Sequence, residues 1–144
     1  REAEGMALKE DLLTHLSNLE RRLSEIEAKS PEAAESYRQK LSAEISRLVG
    51  SNVDEARIAV EAAVFAQRVD IQEEITRTKS HISLFRQYLG SDEPAGKKLD
   101  FLCQELFREA NTIASKANNG SITHAAVEVK SILERMREQV QNIE

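Results

Sequence analysis

Apolar side chains recur along this chain in alternating steps of three and four, and each stretch that does so predicts a helix. Leu8, Leu12, Leu16, Leu19, Leu23 and Ile26 give a first helix, from about 5 to 28, one apolar face. "SPEAAE" then predicts a new start, with Ser30 as cap, Pro31 in the first turn, and Glu32 and Glu35 at the positive helix end. This second helix carries Tyr37, Leu41, Ile45 and Leu48 and stops at Gly50. "SNVDEAR" opens a third, predicted to run unbroken from about Asp54 to Leu89, and "GSDEPAGKK" is the clearest break in the chain. In the fourth, Leu99, Leu102, Leu106, Ala110, Ile113 and Ala117 share a face, and "NNG" at 118–120 closes it with residues that tolerate left-handed backbone. Ser121 is the expected cap of the fifth, whose Ile122, Ala126, Val129, Leu133, Met136, Val140 and Ile143 step as a heptad seam.

Matched seams and a short connection predict that the last two helices pack as an antiparallel hairpin, with Leu106 and Met136 buried in it. No alternating strand pattern competes. The expectation is therefore all-α: an elongated bundle of about five helices with antiparallel coiled-coil-like hairpins. It forms a single helical domain over 1–144, with the first three helices in 1–90 and the C-terminal hairpin in 97–144.

Composition agrees with long helices. The 144 residues are 40% hydrophobic and 31% charged, with five Gly, two Pro and no Trp. Cys103 is alone, which excludes an intrachain disulfide and points to a reducing compartment, the cytoplasm. Among Leu99, Leu106 and Ala110 it reads as a buried structural thiol rather than a nucleophile. No apolar run approaches membrane-spanning length. A net charge of −5 argues against a nucleic-acid binder that works by bulk charge, though not against one whose basic residues line a groove. The chain opens without Met and already in helical register, and reads as a fragment of something longer.

Two polar stripes stand out. In "DIQEEITRTKSH", helical spacing puts Asp70, Glu74, Arg77 and His81 on one face with Glu73 at its edge. Two carboxylates, an Arg and a His can bind a divalent cation, activate water or hold a phosphate. The plain alternative is a surface salt bridge beside a solvated His. In the fourth helix Asp100, Gln104, Arg108, Asn111 and Ser115 fall within about a quarter of the circumference. Short amides and hydroxyls are poor choices for an ordinary solvated face. They suit phosphates, sugar hydroxyls and base edges, or a buried polar network between helices. Glu105, Glu109 and Lys116 read as a separate, solvent-facing charged face. Arg137, Glu138, Gln141, Asn142 and Glu144 could meet these stripes if the last helix packs beside them. His15 and His124 read as structural.

"DIQEEITRTKSH", "GKKLDFLCQELFREANTIASKAN" and the closing "MREQVQNIE" together resemble the C-terminal half of the YicC/YloC family of bacterial proteins. The opening "EG" and "PE…YR.KL" match the segment that precedes those motifs, so the resemblance covers the whole chain. It implies an endoribonuclease acting on RNA, dependent on a divalent metal (Mg or Mn), in a hexameric, ring-like homo-oligomer. The family pattern falls on Asp70, Glu73, Glu74, Arg77, Ser80 and His81. It falls again on Gly96, Lys98, Asp100, Gln104, Glu105, Arg108, Glu109, Asn111, Thr112, Ser115 and Lys116. Phe107 departs from it, standing where the family usually has Asn.

Two functions are thus expected of such a chain. The first is part of a metal-dependent endoribonuclease. Asp70, Glu74 and His81 are its metal or acid–base candidates, with Glu73 beside them in the catalytic set. Arg77, Gln104, Arg108, Asn111, Ser115 and Lys116 are its RNA contacts. The second is a non-catalytic helical module for oligomerisation or partner binding. If the stripes serve one groove, they should lie on the same side of the molecule or meet across a subunit boundary.

Overall fold

The computed structural model describes residues 2–50 and 54–143; the Ser51–Val53 part of the "SNVDEAR" start and Glu144 lie outside them. Five helices follow one another: α1 Glu2–Val49, α2 Glu55–Val69, α3 Gln72–Leu89, α4 Gly96–Lys116 and α5 Gly120–Val140. No strand occurs among the described residues.

Two helix breaks differ from expectation, each for a readable reason. The predicted break at Ser30–Pro31 does not occur, and α1 runs 48 residues through Pro31, about 72 Å at 1.5 Å per residue. A mid-helix proline forfeits a hydrogen bond and crowds the preceding turn. Here its ring is exposed, and the inward face continues in phase across it, from buried Ile26 past Ser30 to Ala33. The apolar face keeps the helix going where the local signal says stop.

The second difference is the reverse. The stretch from Asp54 to Leu89 is not one helix, because Asp70 and Ile71 separate α2 from α3. The Asp70 carboxylate accepts the Gln72 N–H at 2.9 Å, and Ile71 drops into the core at 1% exposure. The sequence signal was there. The inward positions 58, 62, 65 and 69 slip phase before Ile71, Ile75, Thr78 and Ile82.

The start of α5 differs from expectation by less. Asn118 takes a left-handed φ of 43°, and Asn119, rather than Ser121, caps α5 by accepting the Ile122 N–H. Gly50 ends α1 with a φ of 74°.

Four helices build the core. The first half of α1 packs on α3 and α5, and α4 packs on α3 and α5, so the helices form a ring of four. Neighbours run antiparallel: Asp100 meets Arg137 between α4 and α5, and Lys116 meets Glu74 between α3 and α4. Leu12, Leu16, Leu19, Ile75, Phe85, Leu106, Leu133 and Met136 are fully buried in the middle. Ala95 and Gly96 let the loop enter α4 against the end of α5. A Cβ at Gly96 would meet the Ile143 carbonyl oxygen at 2.9 Å. Beyond the bundle, the second half of α1 folds against α2 as an arm. It is held by Tyr37 stacked on Phe65 with ring centroids 3.6 Å apart, and no residue of α2 is buried.

Candidate functional site

The face between α3 and α4 carries the densest charge in the molecule's interior. Glu74 lies one position before Ile75, on the flank of α3 that turns towards α4, and its side chain is 2% exposed. Glu109 stands in the apolar register of α4, three residues after Leu106 and four before Ile113, and its side chain is 6% exposed. Lys116 follows in the same register. Lys116 Nζ donates to Glu74 Oε1 at 2.6 Å, and Arg77 Nε donates to Glu109 Oε1 at 2.9 Å. The Arg77 guanidinium also approaches Glu74 at 3.7 Å and Glu73 at 3.6 Å. That guanidinium, bonded first to Glu109, is held more firmly protonated than a free arginine. The Glu74 Oε2 atom is buried and accepts no hydrogen bond among the described residues.

The two carboxylates are thus sunk between the helices, while Arg77 is half exposed above them. Taking a carboxylate out of water is costly unless it is paired. Each has one cation at hydrogen-bonding distance, and the two pairs share Arg77.

Of the first polar stripe, the structure brings together Glu74 and Arg77 with Glu73 at the rim. Asp70 sits at the α2–α3 break, exposed, its carboxylate accepting the Gln72 N–H at the start of α3. His81 is half-buried, seven residues on from Glu74, about 10 Å along the axis. It makes no hydrogen bond or ion pair among the described residues. Among the described residues, no three His, Cys, Asp or Glu side chains gather closely enough to hold a metal ion.

The second stripe divides. Asp100 turns to α5, where Arg137 Nε donates to it at 3.1 Å, and Gln104 Nε2 donates to its other oxygen at 3.1 Å. Gln104, Arg108, Asn111 and Ser115 face solvent. The Ser115 hydroxyl donates to the Thr112 carbonyl of its own helix. Within one chain this row is not turned towards Glu74. Phe107 is half-buried and packs against the core.

Glu109 is the residue that sequence reasoning missed. It is not solvent-facing, nor is Lys116 simply so, because both occupy the three-four register set by Leu99, Leu102, Leu106 and Ile113. That register was the available signal. Charge alone had assigned them outward. Cys103 does behave as expected: it is free and buried, and burial, aided by the Asp100 charge, pushes its thiol up to about 12. Such a thiol stays protonated and is no nucleophile.

Comparison with known proteins bears on what this arrangement serves. A family model described as endoribonuclease YicC-like, C-terminal, matches residues 26–144. A probable endoribonuclease YicC of Clostridioides difficile is 46% identical over 146 residues, covering all of this chain and 50% of that protein. Another, of Haemophilus influenzae, is 46% identical over 93 residues, covering 65% of this chain and 32% of that protein. The chain thus spans half the length of the first relative and matches a third of the second. With motifs, helices and family model in register over most of its length, the chain belongs to the YicC-like endoribonuclease family, in its C-terminal part.

Proposed function

We propose that this chain is part of an endoribonuclease that cleaves RNA in the cytoplasm, and that a substrate phosphate meets it at the α3/α4 cluster. The observation that carries the reading is Glu74 Oε2. A buried polar atom without a partner costs roughly 1–3 kcal/mol, and of the three such atoms among the described residues (the others are Glu27 Oε2 and Gln139 Oε1) only this one belongs to a carboxylate approached by both a Lys and an Arg. Arg77 and Lys116 reach from the buried carboxylates towards the surface and are the cations a phosphate would meet. Glu74 would accept the proton of the attacking hydroxyl, from water or from the ribose. Gln104, Arg108, Asn111 and Ser115 are assigned to more distant RNA contacts.

The family resemblance implies a divalent metal, Mg or Mn. As a set, Asp70, Glu74 and His81 do not fit a cation within this chain, because Asp70 is turned to the Gln72 N–H at the α2–α3 break and the others stand two turns apart. No step is assigned to a metal here. A homo-oligomer belongs to the same reading, supported by the exposed Leu48, Val60 and Val64 of the arm.

The second reading, a non-catalytic helical module, has one observation in its favour: the same ion pairs tie α3 to α4. Glu74→Gln in the protein of full family length separates the two. Cleavage of a structured RNA should fall at least tenfold, about 1.4 kcal/mol of barrier, while RNA binding falls less, since phosphate contacts come from Arg and Lys. A lower melting temperature with an unchanged rate per folded molecule would instead establish the structural role.

A further inference from the structure

Across the ring from the Glu74 cluster lies the seam between α1 and α5, and it opens into a cleft of about 320 Å³. Asn18, Arg21 and Arg22 line it from α1, and Glu128, Ser131 and Arg135 from α5, over a floor that includes Ile132. Three guanidinium groups border this one cleft, in a chain of net charge −5.

The ion pairs show which of these groups are already used. Arg22 Nε binds Glu128 Oε2 at 2.6 Å, and its Nη1 lies 3.2 Å from Glu25. The other Glu128 oxygen, Oε1, faces His124 Nε2 at 2.7 Å. Glu128, the cleft's one carboxylate, is therefore held by Arg22. Arg21 and Arg135 have no carboxylate within ion-pair distance among the described residues. Nor do the Asn18 amide and the Ser131 hydroxyl make a hydrogen bond there. Two cations and two neutral donors thus border a polar cleft with their hydrogen-bonding capacity unspent. Such a set suits an anion with several oxygens; guanidinium groups match phosphate in particular.

We propose that the α1/α5 cleft is a second RNA-binding site, in which Arg21 and Arg135 hold phosphates of the substrate backbone away from the point of cleavage. The ligand class rests on the endoribonuclease reading above; the cleft itself does not. Lying across the bundle from Glu74, it contributes binding energy that is the same before and during reaction. Losing it raises KM and leaves kcat unchanged.

The test uses the protein of full family length and a short fluorescein-labelled single-stranded RNA, with anisotropy for binding and initial rates for cleavage. Arg21→Ala with Arg135→Ala should weaken binding about tenfold. It should also flatten the dependence of log affinity on log salt by about 1.4, two phosphates at roughly 0.7 each. KM should rise with kcat constant, and the melting temperature should hold, because both side chains are exposed and unpaired. Arg57→Ala with Arg68→Ala removes the same charge from α2 and should change binding less than twofold. The proposal is overturned if the cleft pair binds like the unaltered protein, or if both pairs weaken binding equally, which is bulk charge. Cleavage that persists in either case leaves the endoribonuclease reading standing. An unaltered protein that binds RNA without cutting it removes that reading, and the two pairs still decide the cleft.

Discussion

The bundle and the arm are made from the same kind of helix yet are held together differently. In the bundle, α1, α3, α4 and α5 each give one face to a common interior, and leucines such as Leu16, Leu106 and Leu133 are sealed from water. Each is worth about 1.5–3 kcal/mol on burial. In the arm, two helices have only each other. The sequence of α2 is rich in Ala and Val, but Val60 and Val64 stay exposed, and Tyr37 stacks on Phe65 between the two helices. A pair of helices can shield at most one face of each. It takes at least a third element to make an interior dry enough for a group such as Glu109 to need Arg77. Charge burial, and with it the candidate site, is a property of the bundle alone.

The sharpest way to break this contrast is a matched pair of truncations. Leu106→Ala should cost about 2–5 kcal/mol as a core cavity, whereas Val64→Ala in the arm should stay within about 0.5 kcal/mol. Urea unfolding of both variants measures this, and equal losses would show that the arm is packed in solution against something the isolated chain lacks.

Glycines give a smaller test. Gly96→Ala in the bundle should cost roughly 1–3 kcal/mol, because its Cβ meets the Ile143 carbonyl and the end of α5 must move. Gly50→Ala in the arm has open space around it and should cost only about 1 kcal/mol, from its left-handed backbone. Thermal unfolding should therefore rank Gly96 above Gly50.

The smallest effect is alkaline. Cys103 ionises near 9.0 when unfolded but at about 12 in the bundle, so the folded state keeps a proton that the unfolded chain loses. Its contribution is intact below pH 9 and is lost as pH rises from there towards 12. By pH 10 the loss should be about 1.4 kcal/mol, and Cys103→Ala should flatten that slope. An unchanged slope would show water reaching the interior beside α4.

How far the chain could be read depended on how local each cause is. The helices, the seams of α4 and α5, the left-handed Asn118 and the buried Leu106 and Met136 all follow from spacing and turn chemistry. So does the resemblance of the "DIQEEITRTKSH" and "GKKLDF" segments to a known family. What spacing could not show was which neighbour each flank would meet. Pro31 reads locally as a start, yet α1 passes through it because its inward face stays in register with the bundle. Asp70 reads as part of a continuous stripe, yet it stands in the break between α2 and α3 because Ile71 is drawn into the core. Glu109 and Lys116 read as solvent-facing charges, yet they lie under α3, since only the packing of α3 on α4 supplies Arg77 and Glu74 as partners. Periodicity specifies which face of a helix turns inward. Only tertiary structure decides what covers its flanks, because burial and charge pairing depend on groups 32 and 42 residues away along the chain.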